Sequence, residues 1–208
     1  MNTKTLPELI EISTAAHSHL CPRQILGIRM GMYAGELFNL TLPQSDKRLL
    51  AVIETDGCFV DGLSAATNTT VGHRTLRVED YGKTAAVFID STTERAIRIA
   101  PSLNVRQQAC EFIPEESRRY FAQMQAYQLM PAAEMFNAQA VTLNFSIRSI
   151  VSKPGMRVNC DVCAEEIMNE RQVHRNSMTL CHPCAYGAYY RIGQNDILTC
   201  AVKHEAAL

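Results

Sequence analysis

Four of the eight cysteines in this chain of 208 residues form two Cys-x-x-Cys pairs near the C-terminus. Residues 164–180 separate the pairs, a spacing typical of structural zinc sites with four thiolate ligands. A tight turn within each pair brings two sulfur atoms to the separation that tetrahedral Zn²⁺ requires. We therefore predict a structural zinc ion. Its predicted ligands are Cys160, Cys163, Cys181 and Cys184.

Two alternatives exist for this cysteine cluster. The pairs could be redox-active dithiols, although two matched pairs favour a metal. His174 or His182 could also replace one thiolate, but with four thiols available we expect both histidines at the surface or behind the ligands. Residues 185–190, after the second pair, have a helical pattern. A turn, a hairpin and a helix that carries the second pair would form a treble-clef zinc finger.

A second group of candidate ligands lies near the N-terminus. His17, His19 and Cys21 occupy alternate positions, so an extended segment would point all three to one side. Pro22 disfavours helical geometry at the residue before it, which supports an extended conformation at Cys21. Imidazole and thiolate together are ligands for zinc and other transition metals.

Cys58 follows a run of residues expected to form a buried strand, and Asp56 and Asp61 lie on either side of it. It could complete a metal site in the core or act as a nucleophile with His19 as its base. The structural alternative is that His17 caps a helix while the cysteines pack in the core. The candidate core ligands for a second transition metal are His17, His19, Cys21 and Cys58.

The charge and the hydrophobic pattern exclude several classes of protein. The net charge is -1, from 20 Lys+Arg and 21 Asp+Glu, so no overall basic field attracts nucleic acid or an anionic membrane. Residues 152–208 carry six Lys+Arg and six Asp+Glu, which balance. A membrane span needs about 20 apolar residues, and an apolar secretory signal is also lacking. We expect a soluble cytoplasmic protein with neither nucleic acid nor membrane as partner.

Hydrophobic patterning and turn signals predict the elements that must position these residues. Thr5 and Glu8 have the spacing of a capping box. The predicted helices begin at residue 5 or cover residues 22–39, 60–67 and 114–130. The predicted strands are Leu49–Ile53, a hairpin of 74–80 with 83–90, then 95–100 and 140–151. Their irregular order favours an α+β fold with a mixed sheet.

Glycines mark one helix and one boundary. Gly27, Gly31 and Gly35 share a stripe on the second helix, which predicts close approach of another backbone or of a partner subunit. Scattered glycines in a tolerant helix are the alternative. Pro154 and Gly155 follow the last predicted strand. We therefore expect a core domain at residues 1–151 and the zinc finger at residues 152–208.

Three segments taken together resemble the formylmethanofuran dehydrogenase E-subunit family. They are His-x-His-Leu-Cys-Pro at 17–22, Glu-Thr-Asp-Gly-Cys-Phe-Val-Asp-Gly at 54–62, and Thr-Val-Gly-His-Arg-Thr-Leu at 70–76. The resemblance covers residues from about 10 to 110. It implies an α+β core, a treble-clef zinc appendage, a homodimer and a Cys/His pocket that can hold a metal. The implied pocket residues are His17, His19, Cys21 and Cys58, with Asp56 and Asp61 nearby.

One position departs from the family pattern. Thr69 stands where members often have a second pocket cysteine, so Cys58 has no redox partner there and a metal would lose one thiolate. The resemblance implies an accessory protein of molybdenum- or tungsten-dependent redox enzymes, with their subunits as partners. A stand-alone enzyme that uses Cys58 or a pocket metal, and an interaction module built on the zinc finger, are the alternatives.

Overall fold

A mixed five-stranded sheet forms the centre of the first unit, Met1–Val151, in the computed structural model, which describes residues 2–17, 19–151, 153 and 155–191. The strand order is β2-β1-β3-β4-β5. β1 and β2 are parallel, and the other neighbours are antiparallel. The strands are β1 Leu49–Ile53, β2 Leu76–Val78, β3 Ala86–Asp90, β4 Ala96–Pro101 and β5 Phe136–Val141. The sheet and the helices around it confirm the α+β class.

The expected hairpin of residues 74–80 with 83–90 is wrong, because β1 lies between the two strands. Ala51 pairs with Leu76 of β2 on one side and with Phe88 of β3 on the other. All five residues of β1 are buried. The most apolar strand therefore takes a central position, where both of its faces are covered.

Seven helices of the described residues belong to this unit. They are α1 Leu6–His17, α2 Pro22–Phe38, α3 Cys58–Thr67, α4 Val105–Phe112, α5 Arg119–Leu129, α6 Ala132–Met135 and α7 Ile147–Ile150. The backbone N–H of Thr5 donates to the Glu8 carboxylate at 2.6 Å, which confirms the capping box of α1. Among the described residues, the helices are too short or too polar to cross a bilayer.

The long strand expected at residues 140–151 is also wrong. β5 ends at Val141, and residues from Ile147 onwards turn into α7. The Ser146 hydroxyl accepts a hydrogen bond from the backbone N–H of Arg148, so a serine cap starts the helix. The alternating apolar residues therefore pack from two different elements rather than from one strand.

Both faces of the sheet are covered by apolar side chains. Leu49, Ala51 and Ile53 of β1 pack towards the main helices in the larger cluster. Leu50 and Val52 face the other way, where α7 supplies Ile147 and Ile150. Because side chains alternate along a strand, this two-sided burial explains why the sequence of β1 is a continuous apolar run.

The closest backbone approach in this unit joins α2 to α3. A Cβ at Gly27 would overlap the carbonyl oxygen of Phe59, and a Cβ at Gly62 would overlap that of Gln24. A Cβ at Gly31 would lie 2.8 Å from that of Ala66. The expectation of close packing on the glycine stripe is confirmed, and the partner is a helix of the same chain.

A buried glutamine ties α1 to the start of α2. The Gln24 side chain accepts from the backbone N–H of Cys21 at 2.8 Å and donates to the Ser13 hydroxyl at 3.0 Å. Gln24 and Ser13 are fully buried or nearly so, so each needs these partners. The bonds hold the C-terminal half of α1 against the N-terminus of α2.

An ion pair follows β1 where the chain leaves the sheet. Arg98 of β4 donates to both carboxylate oxygens of Glu54, at 2.6 and 2.7 Å. The Glu54 carboxylate is almost buried, and the hydrogen bonds from Arg98 lower its pKa. This bidentate pair anchors the residues that lead into α3.

The second unit, Ser152–Leu208, consists of short elements in its described part. Two hairpins precede one helix. The elements are β6 Arg157–Asn159, β7 Glu166–Met168, β8 Val173–Arg175, β9 Met178–Leu180 and α8 His182–Tyr186. The buried apolar core that the described residues form here is small. It consists of Cys160, Ile167, Leu180 and Ala185.

We expect Gly27→Ala to lower the free energy of unfolding by about 2 kcal/mol or more, because the new methyl group meets backbone that cannot move aside. Urea denaturation followed by circular dichroism measures the effect. Gly72→Ala is the matched control, since a Cβ there meets no atom within 4 Å. Equal stability of the two variants would contradict the close approach.

We expect Arg98→Gln to lower the free energy of unfolding at pH 7 by about 2 kcal/mol, because it leaves the Glu54 carboxylate buried without its partner. The lowered pKa of Glu54 means that the pair stabilises the fold above about pH 4.3, the ordinary value for Glu, and that this stability disappears as the pH falls further.

Denaturation curves from pH 7 to pH 3 test this prediction. The difference between wild type and Arg98→Gln should shrink in acid. Arg148→Gln, at an exposed position of α7, serves as the control and should leave stability unchanged. A pH-independent difference would show that the Arg98 effect is not electrostatic.

Candidate functional site

The four C-terminal cysteines converge on one point of the second unit. Their sulfur atoms all lie within 4.8 Å of one another. Cys160 follows β6, Cys181 caps the N-terminus of α8, and Cys184 lies within that helix. Cys163 Sγ lies 3.7 Å from Cys181 Sγ. This all-thiol set could bind a metal ion, and His174 and His182 are outside it.

The thiols of this cluster disagree strongly in proton affinity. Hydrogen bonds from the backbone N–H groups of Cys163 and then Cys181 lower the pKa of Cys160 to about 6. The hydrogen bond to Cys181, followed by burial, raises the pKa of Cys184 to about 12. Four neighbouring sulfurs cannot all become thiolates without a cation between them. A divalent metal would remove this conflict, so the donor set fits a structural metal.

A second constellation lies where three helix ends of the first unit meet. Cys58 is the first residue of α3, and Gly57 before it has a φ of 78°. His17 is the last residue of α1. Asp61 lies one turn after Cys58 on the same face of α3. This helix start is two residues earlier than expected from the sequence, and it places Cys58 at the end where the helix dipole stabilises negative charge.

The His17 imidazole bridges the thiol and the carboxylate. His17 Nε2 lies 3.0 Å from Cys58 Sγ, and His17 Nδ1 lies 2.9 Å from an Asp61 carboxylate oxygen. A proton on Nδ1 is directed at Asp61, which leaves Nε2 free to accept the thiol proton. The arrangement of nucleophile, base and orienting carboxylate is the one that activates cysteine.

Cys21 is the second thiol of this constellation. It is buried at the N-cap of α2 and hydrogen bonds with Cys58. Burial is the main cause of a raised pKa of Cys21, so this cysteine favours the protonated thiol. The two cysteines therefore have different environments, one buried and one half-buried at the first turn of α3.

The structure brings the four predicted core ligands into one region without closing them into one coordination shell. The His17 and His19 rings lie 5.0 Å apart, centre to centre, and His17, Cys58 and Cys21 are in contact as described. Within residues 2–17, 19–151, 153 and 155–191, the C-terminal thiols are the one group of three or more candidate ligands that all lie within 4.8 Å. The imidazole against Cys58 is that of His17, whereas His19 faces a cleft.

This cleft has a volume of about 580 Å³, which is within the range of small-molecule sites. Cys21, Cys58 and His19 lie on one part of its wall. The opposite part comes from α4 and α5 and includes Arg106, Arg119 and Tyr120. The Tyr120 hydroxyl donates to the backbone carbonyl of Leu20 at 3.0 Å. Burial, and then the nearby thiols, raise the pKa of Tyr120.

The side chains that α4 and α5 contribute were missed from the sequence. α4 buries only Val105 and Ala109 among its residues, a hydrophobic pattern too sparse to predict a helix. The helix expected from residue 114 begins at Arg119. No spacing in the sequence links these arginines to the cysteines.

The remaining residues of interest are not part of this contact network. Thr69 is buried, and its hydroxyl lies 2.8 Å from that of Thr67, so the threonine in place of a family cysteine has a local structural role. Asp56 is exposed. Cys110 is half-buried in α4, and Cys200 lies outside the described residues.

Comparison with known proteins gives a family match over the first unit. The family model "FmdE, Molybdenum formylmethanofuran dehydrogenase operon" matches residues 16–137. A "Probable S-adenosyl-L-methionine-binding protein" of Archaeoglobus fulgidus is 27% identical over 124 residues. These residues are 58% of this chain and 29% of that protein. The chain therefore spans less than a third of this relative's length.

A solved structure has the same fold. It is an FmdE-like protein of the tungsten formylmethanofuran dehydrogenase type from Syntrophus aciditrophicus, with a TM-score of 0.56 and 22% sequence identity. The match covers 91% of this chain and 96% of that chain. At this identity the likeness concerns the fold.

Proposed function

This chain belongs to the formylmethanofuran dehydrogenase E-subunit (FmdE) family, and we propose that it is a metal-binding accessory protein of molybdenum- or tungsten-dependent redox metabolism. The family description, which names a molybdenum enzyme operon, supports this role. Under this proposal the partners are subunits of a redox enzyme. The core contributes a reactive thiol and the second unit a structural zinc site.

Zinc is the metal that we propose for the second unit. Four thiolates in a tetrahedral arrangement suit Zn²⁺, which has no redox chemistry and needs no open position in a structural site. The small buried core of this unit supports the proposal, because so few apolar residues cannot by themselves stabilise a fold. The bound ion would supply folding energy through Cys160, Cys163, Cys181 and Cys184.

In the core, we propose that Cys58 is the reactive group. The observation that carries this proposal is the position of the His17 imidazole between Cys58 and Asp61. Cys58 would transfer its proton to His17 Nε2 and form a bond from sulfur to an electrophilic carbon in the cleft. The departing group would then take the proton from Nε2, while Asp61 orients the ring through Nδ1.

A transition metal in the core is the second candidate, and the contact between the Cys21 and Cys58 thiols favours it. Cys58 and His17 would bind the ion, with Cys21 and His19 as further ligands after side-chain movement. A carboxylate on the second nitrogen of a histidine, as Asp61 provides here, is also the usual partner of a metal-bound imidazole.

We propose a homodimer as well. Exposed apolar side chains on α4 and α5 support a partner surface there. They are Phe112, Phe121 and Leu129. We expect light scattering to give twice the mass of one chain, and Leu129→Lys to shift the protein towards the monomer. A wild type that is monomeric at high concentration would contradict this proposal.

We expect His17→Gln to slow the alkylation of Cys58 by iodoacetamide about tenfold at pH 7, because the base that takes the thiol proton is lost. Asp61→Asn should slow it by a smaller factor. Peptide mass spectrometry measures the rate at each cysteine, and Cys110 serves as the internal control. Equal rates at Cys58 in wild type and His17→Gln would refute the role of the imidazole.

Metal content per chain, measured by mass spectrometry on protein purified without added metal, separates the two candidates. We expect one zinc in wild type, one in Cys58→Ser and none in Cys184→Ser. Two metals in wild type and one in Cys58→Ser would instead establish the core metal site. Zinc retained by Cys184→Ser would contradict the assignment of the C-terminal ligands.

A further inference from the structure

The cleft beside Cys58 carries an excess of positive charge. Arg23 of α2, Arg106 of α4 and Arg119 of α5 all line it. Among the described residues that line the cleft, none is Asp or Glu. This local balance differs from that of the whole chain, whose net charge is -1. Three separate helices therefore direct guanidinium groups towards the same space.

Arginines elsewhere in the same unit have structural partners. Arg48 is paired with Asp90, and Arg98 with Glu54. Arg29 donates to three backbone carbonyls at the C-terminal end of α5, at 2.6 to 2.9 Å. These side chains therefore hold parts of the fold together. Within the described part of the chain, no ion pair engages a cleft arginine.

We propose that the cleft binds a small molecule with a carboxylate or phosphate group, held by Arg106 and Arg119 with its reactive part against Cys58. This inference rests on the proposed function and names the class of its substrate. A guanidinium presents paired N–H donors that match the oxygens of either anion. The cleft volume of about 580 Å³ is sufficient for such a molecule.

Positive charge at one wall and a thiol at the other also explains the asymmetry of the site. The first turn of α3, where Cys58 lies, is favourable for negative charge, as are the arginines across the cleft. An anionic ligand would be attracted into the cleft before it meets the sulfur atom. The anion is the recognition element, and the part of the molecule that reaches Cys58 is the reacting element.

A pair of alkylating reagents tests the proposal directly. Iodoacetate carries a carboxylate, whereas iodoacetamide is its neutral counterpart, and both mark the same sulfur. We expect the ratio of the iodoacetate rate to the iodoacetamide rate at Cys58 to fall about tenfold in the double variant Arg106→Gln/Arg119→Gln. Arg148→Gln, at constant ionic strength, should leave this ratio unchanged. Circular dichroism verifies that the exposed substitutions preserve the fold.

Direct binding provides a measurement that does not depend on the thiol. We expect inorganic phosphate or succinate, added at constant ionic strength, to raise the melting temperature of wild type and not that of the double variant. Phosphate alone would indicate a phosphate ligand, and succinate alone a carboxylate ligand. Each result supports the proposal and identifies the anion.

The two experiments also separate this inference from the proposed thiol chemistry. A reactive Cys58 with the same reagent ratio in wild type and the double variant, and no stabilisation by either anion, would overturn anion binding alone. A Cys58 that reacts no faster than Cys110, together with stabilisation by an anion in wild type only, would overturn the thiol role and leave the anion site standing.

Discussion

The contact between α2 and α3 is the constraint on which the core site depends. Gly27 and Gly62 let the two helix backbones meet without intervening side chains. Because the helices approach so closely, Cys21 at the start of α2 and Cys58 at the start of α3 come into contact. The absence of a Cβ at two positions thus sets the geometry of two thiols that lie far apart in the chain.

Other polar contacts orient the remaining walls of the site. The buried Gln24 holds α1 to α2, which brings His17 to Cys58. Arg29 connects α2 to the end of α5 through backbone carbonyls and so places the arginine-bearing wall opposite the thiol. The chemistry therefore lies at the ends of helices, where backbone polar groups and side chains are not used up by helical hydrogen bonds.

Local signals predicted many elements because their causes lie within a few residues. The capping box of Thr5 and Glu8, the continuous apolar run of β1 and the glycine stripe of α2 all appear as expected. The expected hairpin was wrong because turn signals do not report which strand inserts between two others. The strand expected at residues 140–151 was wrong because a single serine cap outweighed an alternating pattern.

The sequence by itself determined the C-terminal thiol cluster, because the ligand spacing within and between the two pairs already encodes the geometry of a metal site. It also pointed to His17 and Cys58 as reactive residue types. Only the tertiary structure decided that His17 contacts Cys58, that Asp61 contacts His17, and that arginines of α4 and α5 face both. The reason is physical: these contacts depend on how helices pack across long separations in the chain, and no local pattern records that packing.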